Sequence, residues 1–495
     1  MATTMEKDDT GMVEGILQTI ADLAGAKEPI IRLLLSMLFS YVLAAILRSV
    51  LHGFPATLKH IYFIVTGLAL AYFNYGYGTI HSLGAILVNY VMLLVIGGTP
   101  ISVLLSLVGN LGYLVGAYYY MSTDDYDVNW TTPHCVLTLR LIGLAWDLYD
   151  GNKPESRQSK EQKSICIRTP PSPLEILGYC YYFGGFFVGP QFPIRRYYDF
   201  VNDRLLDNSE GKPSDSVRPA LIRLGHASLY ISLSVFIAPY YTNEYLLSDE
   251  FLNETSFWYK LFVVAIWGEF KLWQYCSAWL ISEGVCILSG ITYEGRDATG
   301  TPNWKGCNNV RISQLESAVT LRQVIAAFNI NTNVWVARYV YKRLKFLGNK
   351  VISQAVTLLF LAVWHGYYIG YYICFFFELI IVQFELQWES VMAKTGLSKY
   401  YHHPVLAVPL WIFKRFYTML FMGYPLVSFV FLQWYRIVQI YSSVYFCGHV
   451  LFLLIWPLLY HFVLRPSLRK SSKTTDPANS TKDGNAPVEE KKKEL

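Results

Sequence analysis

Long apolar runs separated by short polar stretches dominate the chain. A bilayer core of about 30 Å takes about 20 mainly apolar residues as a helix. Stretches of that kind fall at roughly 29–51, 59–75, 80–97, 100–121, 134–149, 173–193, 219–241, 257–290, 351–383, 404–432 and 437–463. The pattern predicts an all-α, polytopic membrane protein of about eleven helices. Two runs, 257–290 and 351–383, would each be about 50 Å long as one straight helix, so each must tilt, break or protrude. Gly366 and Gly370 in the second, and Pro404, Pro409 and Pro425 in the run after it, are candidate break points. The 134–149 run carries Arg140 and Asp147 and reads as re-entrant or interfacial. Broken segments persist at membrane depth only when buried in protein or lining a wet cavity, which implies an internal chamber.

Three regions follow from this pattern. Residues 1–28 carry no signal-peptide pattern, so membrane entry is expected through an internal span. Within them Val13, Ile16, Leu17, Ile20 and Leu23 recur at helical spacing, which fits a helix in the membrane interface or one packed on the protein's own surface. Residues 29–463 form the multi-span body. The tail 464–495 is rich in Ser, Thr, Lys and Pro without apolar periodicity and is expected to be disordered. The segment 292–350 holds nine Lys or Arg against three acids, which places it in the cytosol by the positive-inside tendency. The terminal Lys492 and Lys493 read as a di-lysine retrieval signal of the endoplasmic reticulum, or as a solvated charge run. A cytosolic C-terminus beside a cytosolic basic segment requires an even number of crossings between them, so one intervening run should be a hairpin or two passes. Sequons stand at Asn129, Asn253 and Asn479.

Composition agrees with this reading and narrows the function. Of 495 residues, 53% are hydrophobic and 16% charged, against about 25% charged in soluble domains. That excludes an ordinary cytosolic or disordered protein. The net charge of +5 resides largely in the basic segment and the tail, so nucleic acid is not an expected partner. Eight cysteines show no CxxC pair, and neither a zinc site nor a disulfide framework is indicated.

Three features carry candidate chemistry. His365, in Trp364-His365-Gly366, sits in the middle of an apolar run. Ionisable residues at that depth face the interior and are functional candidates, and imidazole suits proton transfer near neutral pH. The alternative is a histidine that hydrogen-bonds a neighbouring helix. The second feature is the amide-rich string 328–335, with Asn329, Asn331 and Asn333 at alternate positions. Such amides can donate to a developing oxyanion or can serve turns and caps, the role expected of Asn331 and Asn333 singly. The third is the run from Trp335 through Arg338, Lys342 and Lys345, whose cations share a helical face at i, i+4, i+7. It suits either the phosphates of coenzyme A or anionic headgroups.

Several strings resemble motifs of the membrane-bound O-acyltransferase family. Trp364-His365-Gly366 with Gly370-Tyr371 and Phe375 reads WHGxxxGYxxxF. Residues 441–449 fit YxxxYFxxH, residues 189–192 fit GPxF, and residues 283–290 fit EGxxxLxG, elements of the family's lysophospholipid acyltransferase branch. With FNINTNVW and YKRLKFLGNK, the resemblance covers roughly residues 60–463.

The resemblance implies acyl transfer from acyl-CoA, a co-substrate rather than a cofactor, to the sn-2 hydroxyl of a lysophospholipid. It implies catalytic roles for His365 and Asn329, with Trp335, Arg338, Lys342 and Lys345 on the acyl-CoA side and Tyr445 and His449 on the lysophospholipid side. No cofactor or metal is expected, and residence is expected in the endoplasmic reticulum among membrane lipids, with a homodimer left open. Phe328 stands where relatives often carry Trp, a change of bulk that leaves the amide beside it in place. Burial of His365 in apolar surroundings would favour the neutral ring a base needs. The rivals are acylation of another hydroxyl, as in sterol, diacylglycerol or protein acyltransferases, and a lipid transporter or scramblase.

Overall fold

The structure is a computed structural model and describes residues 11, 14–23, 25–122, 128–205 and 215–468. The tail signal at Lys492 and Lys493 and the Asn479 sequon lie outside the described residues. No strand forms among the described residues beyond an isolated bridge between Arg296 and Pro302. The principal helices are α1 (Glu28–Ser49), α2 (Ala56–Tyr75), α3 (Thr79–Ile96), α4 (Pro100–Met121), α5 (Thr131–Gly151), α6 (Val217–Ile237) and α7 (Phe257–Ser289). They continue with α8 (Ile330–Tyr339), α9 (Lys350–His365), α10 (Ile369–Lys394), α11 (Ala407–Phe431), α12 (Trp434–Ser443) and α13 (Cys447–Leu468).

Local chemistry sets many of these boundaries. The Thr99 hydroxyl accepts from Ser102 N ahead of Pro100 at the first position of α4, and the Ser256 hydroxyl accepts from Tyr259 N at the start of α7. The Asn349 side chain accepts from the Val351 and Ile352 amides to start α9. Each satisfies an amide that a helix N-terminus leaves unpaired.

Six helical units among the described residues are long and apolar enough to cross a membrane. They are α1, the 41-residue unit Ala56–Ile96, α4, α6, α10 and α13. The chain is therefore a multi-pass, all-α membrane protein. The runs 59–75 and 80–97, expected as separate helices, form one unit interrupted only by the tight turn Gly76–Gly78. The 134–149 run is α5, with 17 of 21 residues buried, so protein rather than lipid surrounds it. The 173–193 run does not span. It breaks into Pro173–Tyr181 and Phe183–Phe186 and then leaves helical geometry. Arg140 holds this bend by donating to the carbonyls of Tyr179 (3.0 Å), Cys180 (3.3 Å) and Gly185 (2.7 Å).

The two over-long runs behave differently. Residues 257–290 remain one helix, α7, against which α1, α6 and α11 pack. Residues 351–383 break at Gly366 into α9 and α10. Gln383 Nε2 donates to Gln354 Oε1 at 3.1 Å. A contact between residues so placed on either side of the break folds the two arms back on each other as a helical hairpin with His365 at its tip.

The N-terminal helix packs on the protein's own surface through one face. Leu17 and Ala21 are buried against Ile31 of α1, while Ile16, Ile20 and Leu23 are exposed.

Candidate active site

The hairpin tip is built by two glycines with different tasks. Gly366 has φ +139°, a backbone region that L side chains rarely adopt. It ends α9 directly after His365. A Cβ on Gly370 would stand 2.0 Å from the Ser428 carbonyl oxygen, so only glycine lets α10 approach α11 this closely. The spacing of the WHGxxxG string is thus one turn-forming position and one contact position.

His365 is half-buried in a ring of aromatic side chains. Its centroid lies 4.5 Å from Trp364, 5.7 Å from Tyr371, 5.2 Å from Phe375 and 5.1 Å from Phe429. Trp364 is fixed in turn by donating from Nε1 to the Cys135 carbonyl at 2.9 Å. His365 Nδ1 stands 2.8 Å from the Leu361 carbonyl oxygen. A carbonyl only accepts, so Nδ1 carries the proton of the neutral ring and Nε2 keeps its lone pair. The backbone thereby selects the tautomer that can take a proton at Nε2.

His365 and Asn329 line one cavity of about 350 Å³. Much of its wall is apolar or aromatic, with contributions from α7, α9, α10 and α11. Polar groups enter from Thr131, Gln191, Thr332, Asn333 and Glu378. This is the chamber that the broken helices implied.

Asn329 precedes α8 in the left-handed region, at φ 47° and ψ 41°, which Asn tolerates better than most residues. Among the described residues its side chain makes no hydrogen bond. Its two neighbours in the string are fully engaged. Asn331 Nδ2 reaches the Cys307 and Asn308 carbonyls at 3.1 Å each, and Asn333 Nδ2 reaches the Ile325 carbonyl at 2.8 Å. The string therefore divides into Asn329, whose amide lines the chamber without a hydrogen bond among the described residues, and Asn331 and Asn333, whose Nδ2 groups tie down the loop as expected.

The position of Asn329 is held through Asn309, which also lines the chamber. The Ile330 and Asn331 amides donate to the Asn309 carbonyl (3.1 Å) and side-chain oxygen (3.0 Å). Asn309 N donates to Glu283 at 3.0 Å, and Glu283 faces Arg223 Nε at 2.8 Å. Glu283 had stood out only as a letter in a string, and Asn309 not at all. Glu378 was missed as well, although it follows Tyr371, Cys374 and Phe375 at helical spacing in an otherwise apolar run.

The basic segment differs from its expected form. The helix stops at Tyr339, and residues 341–347 continue as a tighter 3₁₀ helix, so no single α-helical face carries Arg338, Lys342 and Lys345. Arg338 and Lys342 converge on Glu161, at 3.1 and 2.6 Å. Burial alone would raise the Glu161 carboxyl, but hydrogen bonds from Lys342 and Arg338 outweigh it and hold the carboxyl below its usual range. Lys345 is exposed. Trp335 is buried against Tyr339 and Phe360. Trp335 and Arg338 line a second cavity of about 390 Å³ together with Arg140, Arg195 and Arg196, and Gln191 lies in the walls of both cavities.

Tyr445 and His449 are not in the chamber wall. Tyr445 is 74% exposed. His449 sits in an aromatic nest of Phe377, Tyr441 and Phe446, with Nδ1 2.7 Å from the Tyr424 hydroxyl. Pro425, the next residue of α11, does line the chamber.

A half-buried, tautomer-selected imidazole and an open amide in a largely apolar cavity are the equipment of an acyl-transfer site in a membrane. The chain belongs to the membrane-bound O-acyltransferase family, whose sequence model matches residues 115–433. It is an acyltransferase. It is 41% identical over 466 residues to lysophospholipid acyltransferase 5 of Mus musculus, covering 94% of this chain and 95% of the mouse protein. It is 38% identical over 488 residues to the protein of that name in Drosophila melanogaster, covering 97% of each. A lysophospholipid acyltransferase of Schizosaccharomyces pombe is 30% identical over 350 residues, 68% of this chain and 67% of the yeast protein.

Proposed function

We propose that this protein transfers an acyl chain from acyl-CoA to the sn-2 hydroxyl of a lysophospholipid, lysophosphatidylcholine foremost and the ethanolamine and serine lysolipids with it. The carrying observation is His365, whose Nδ1 proton is committed to a backbone carbonyl within a cavity that Asn329 also lines. The names of the relatives support the acceptor class. The strings also resemble those of a type 3 lysophosphatidylcholine acyltransferase, and that resemblance favours choline as the leading headgroup.

In this mechanism His365 Nε2 takes the proton of the acceptor hydroxyl as the oxygen attacks the thioester carbonyl, a contribution of about 100- to 10,000-fold. The Asn329 amide donates to the oxyanion that forms. The C–S bond then breaks, and the departing thiolate takes the proton back from His365. A ternary complex of the two substrates supplies the remaining advantage by orientation, so the scheme needs no acyl-enzyme. The second cavity, where Arg140, Arg195, Arg196 and Arg338 stand among Asp147, Asp199 and Glu294, offers cationic groups to the phosphates of coenzyme A, and we place the thioester's approach there, past Gln191, from the cytosol. Tyr445 and His449 would serve the lysophospholipid side indirectly, His449 by fixing Tyr424 beside the chamber wall. Phospholipid remodelling in the endoplasmic reticulum is the corresponding cellular role.

One labelled acyl-CoA offered to the purified protein with lysophospholipids, a sterol and diacylglycerol tests this reading. Thiol release and labelled diacyl phospholipid are expected only with the lysophospholipids. Sterol or triacylglycerol ester as the main product, or lipid movement without thiol release, would contradict it.

A further inference from the structure

Among the described residues, one carboxyl group lines the chamber. Glu378 lies on α10 on the face that carries Tyr371, Cys374 and Phe375, and all four line the cavity. Among the described residues Glu378 makes no hydrogen bond or ion pair, and no Lys, Arg or Asp lines the chamber with it. Other interior carboxyls have a partner within the protein. Glu269 faces Arg415 at 2.6 Å, Glu283 faces Arg223 at 2.8 Å and Glu385 faces Arg322 at 3.6 Å, while Asp147 accepts from the Tyr339 hydroxyl at 2.7 Å. A charge in apolar surroundings is costly unless paired, and a cation carried by a substrate would supply the partner that Glu378 lacks.

Reach identifies the part of the substrate concerned. The His365 ring centroid stands 5.2 Å from that of Phe375, and side chains three residues apart on a helix have Cβ atoms about 5–6 Å apart. These two steps bound the separation of Glu378 from the imidazole at roughly 11 Å. In a lysophospholipid, seven single bonds separate the hydroxyl-bearing carbon from the headgroup nitrogen, roughly 9 Å when extended at ordinary bond lengths. An acceptor with its hydroxyl at His365 brings that nitrogen within range of Glu378.

We propose that Glu378 is the counter-charge for the cationic headgroup nitrogen, and so a specificity-determining residue for the acceptor. This rests on the lysophospholipid reading above. Choline, ethanolamine and serine headgroups carry such a nitrogen; glycerol and inositol headgroups do not, and their net negative lipids meet an unfavourable carboxylate. Glu378 takes no proton in the reaction.

The test is acylation kinetics of the full-length enzyme with one acyl-CoA and three acceptors. These are lysophosphatidylcholine, its neutral isostere with 3,3-dimethylbutanol in place of choline, and lysophosphatidylglycerol. Wild type is expected to show kcat/KM at least about tenfold lower for the isostere than for choline, the scale of one lost charge pair in a dry site. Glu378→Gln should remove most of that difference and lower the choline-to-glycerol ratio ten- to hundredfold, roughly. Wild type that treats choline and its isostere alike overturns the proposal without any variant. A Glu378→Gln enzyme that loses all three acceptors in parallel, or none, overturns it as well. Thiol release with a different class of alcohol and with no lysophospholipid would instead overturn the acceptor reading itself.

Discussion

The two longest apolar runs, 257–290 and 351–383, have similar length and each carries ionisable groups, yet they do opposite things. In α7, Glu269 and Glu283 each meet an arginine from another helix, and the helix runs unbroken as a post for α1, α6 and α11. In the second run the chain turns back at Gly366, and neither His365 nor Glu378 meets a charged partner among the described residues. Pairing makes the first run structural. In the second, the polar groups left open at membrane depth face a cavity, which is where chemistry on lipids can occur.

The contrast is sharpest within the amide string. Asn329→Ala removes a side chain with no hydrogen bond among the described residues, so turnover should fall about 100- to 1,000-fold, the usual effect of losing an oxyanion donor, with only a small drop in melting temperature from alanine's poorer fit to the left-handed backbone. Asn331→Ala should do the reverse in kind. It removes three hydrogen bonds of a loop, and melting should drop before any specific loss of turnover appears. Parallel melting and kinetic curves for the two variants would separate the roles, and equal behaviour would erase the distinction.

A smaller effect on activity and a larger one on stability is expected in the post. Arg415→Met leaves Glu269, 5% exposed, without its cation, and breaking a buried pair in this way costs about 3–5 kcal/mol. Thermal unfolding in detergent should shift strongly downward, while enzyme that stays folded keeps its headgroup preference.

The smallest effect belongs to Glu161. Its carboxyl is held low by Lys342 and Arg338, so its contribution to stability is present above the ordinary Glu range and is lost as pH falls through the depressed value. Glu161→Gln should reduce stability at neutral pH by under about 1 kcal/mol and flatten the acid limb of the stability profile. An unchanged acid limb would mean that the pair contributes nothing.

Much of this was legible in the sequence, for reasons tied to particular residues. Hydrophobic runs indicated the membrane class, and the excess length of 351–383 required it to tilt, break or protrude, with glycines that offered the break. His365 stood out because imidazole is rare in such a run. The span count was less accurate because apolarity does not distinguish lipid from protein as the covering. Thus α5 is nearly all buried and 173–193 folds back around Arg140. The division of labour among Asn329, Asn331 and Asn333 depends on loop carbonyls contributed by residues some twenty positions earlier, which no local pattern reveals. The ion pairs that occupy Arg338 and Lys342 likewise come from a distant segment.

The central claim is that the Nε2 lone pair of His365 removes the acceptor's proton. Its most direct test is product analysis by lipid mass spectrometry for wild type and His365→Ala, purified at matched amounts and with matched melting temperatures. Diacyl phospholipid formation should fall by at least about 100-fold in the variant while both proteins stay folded. A well-folded His365→Ala enzyme that makes product at the wild-type rate would contradict the account.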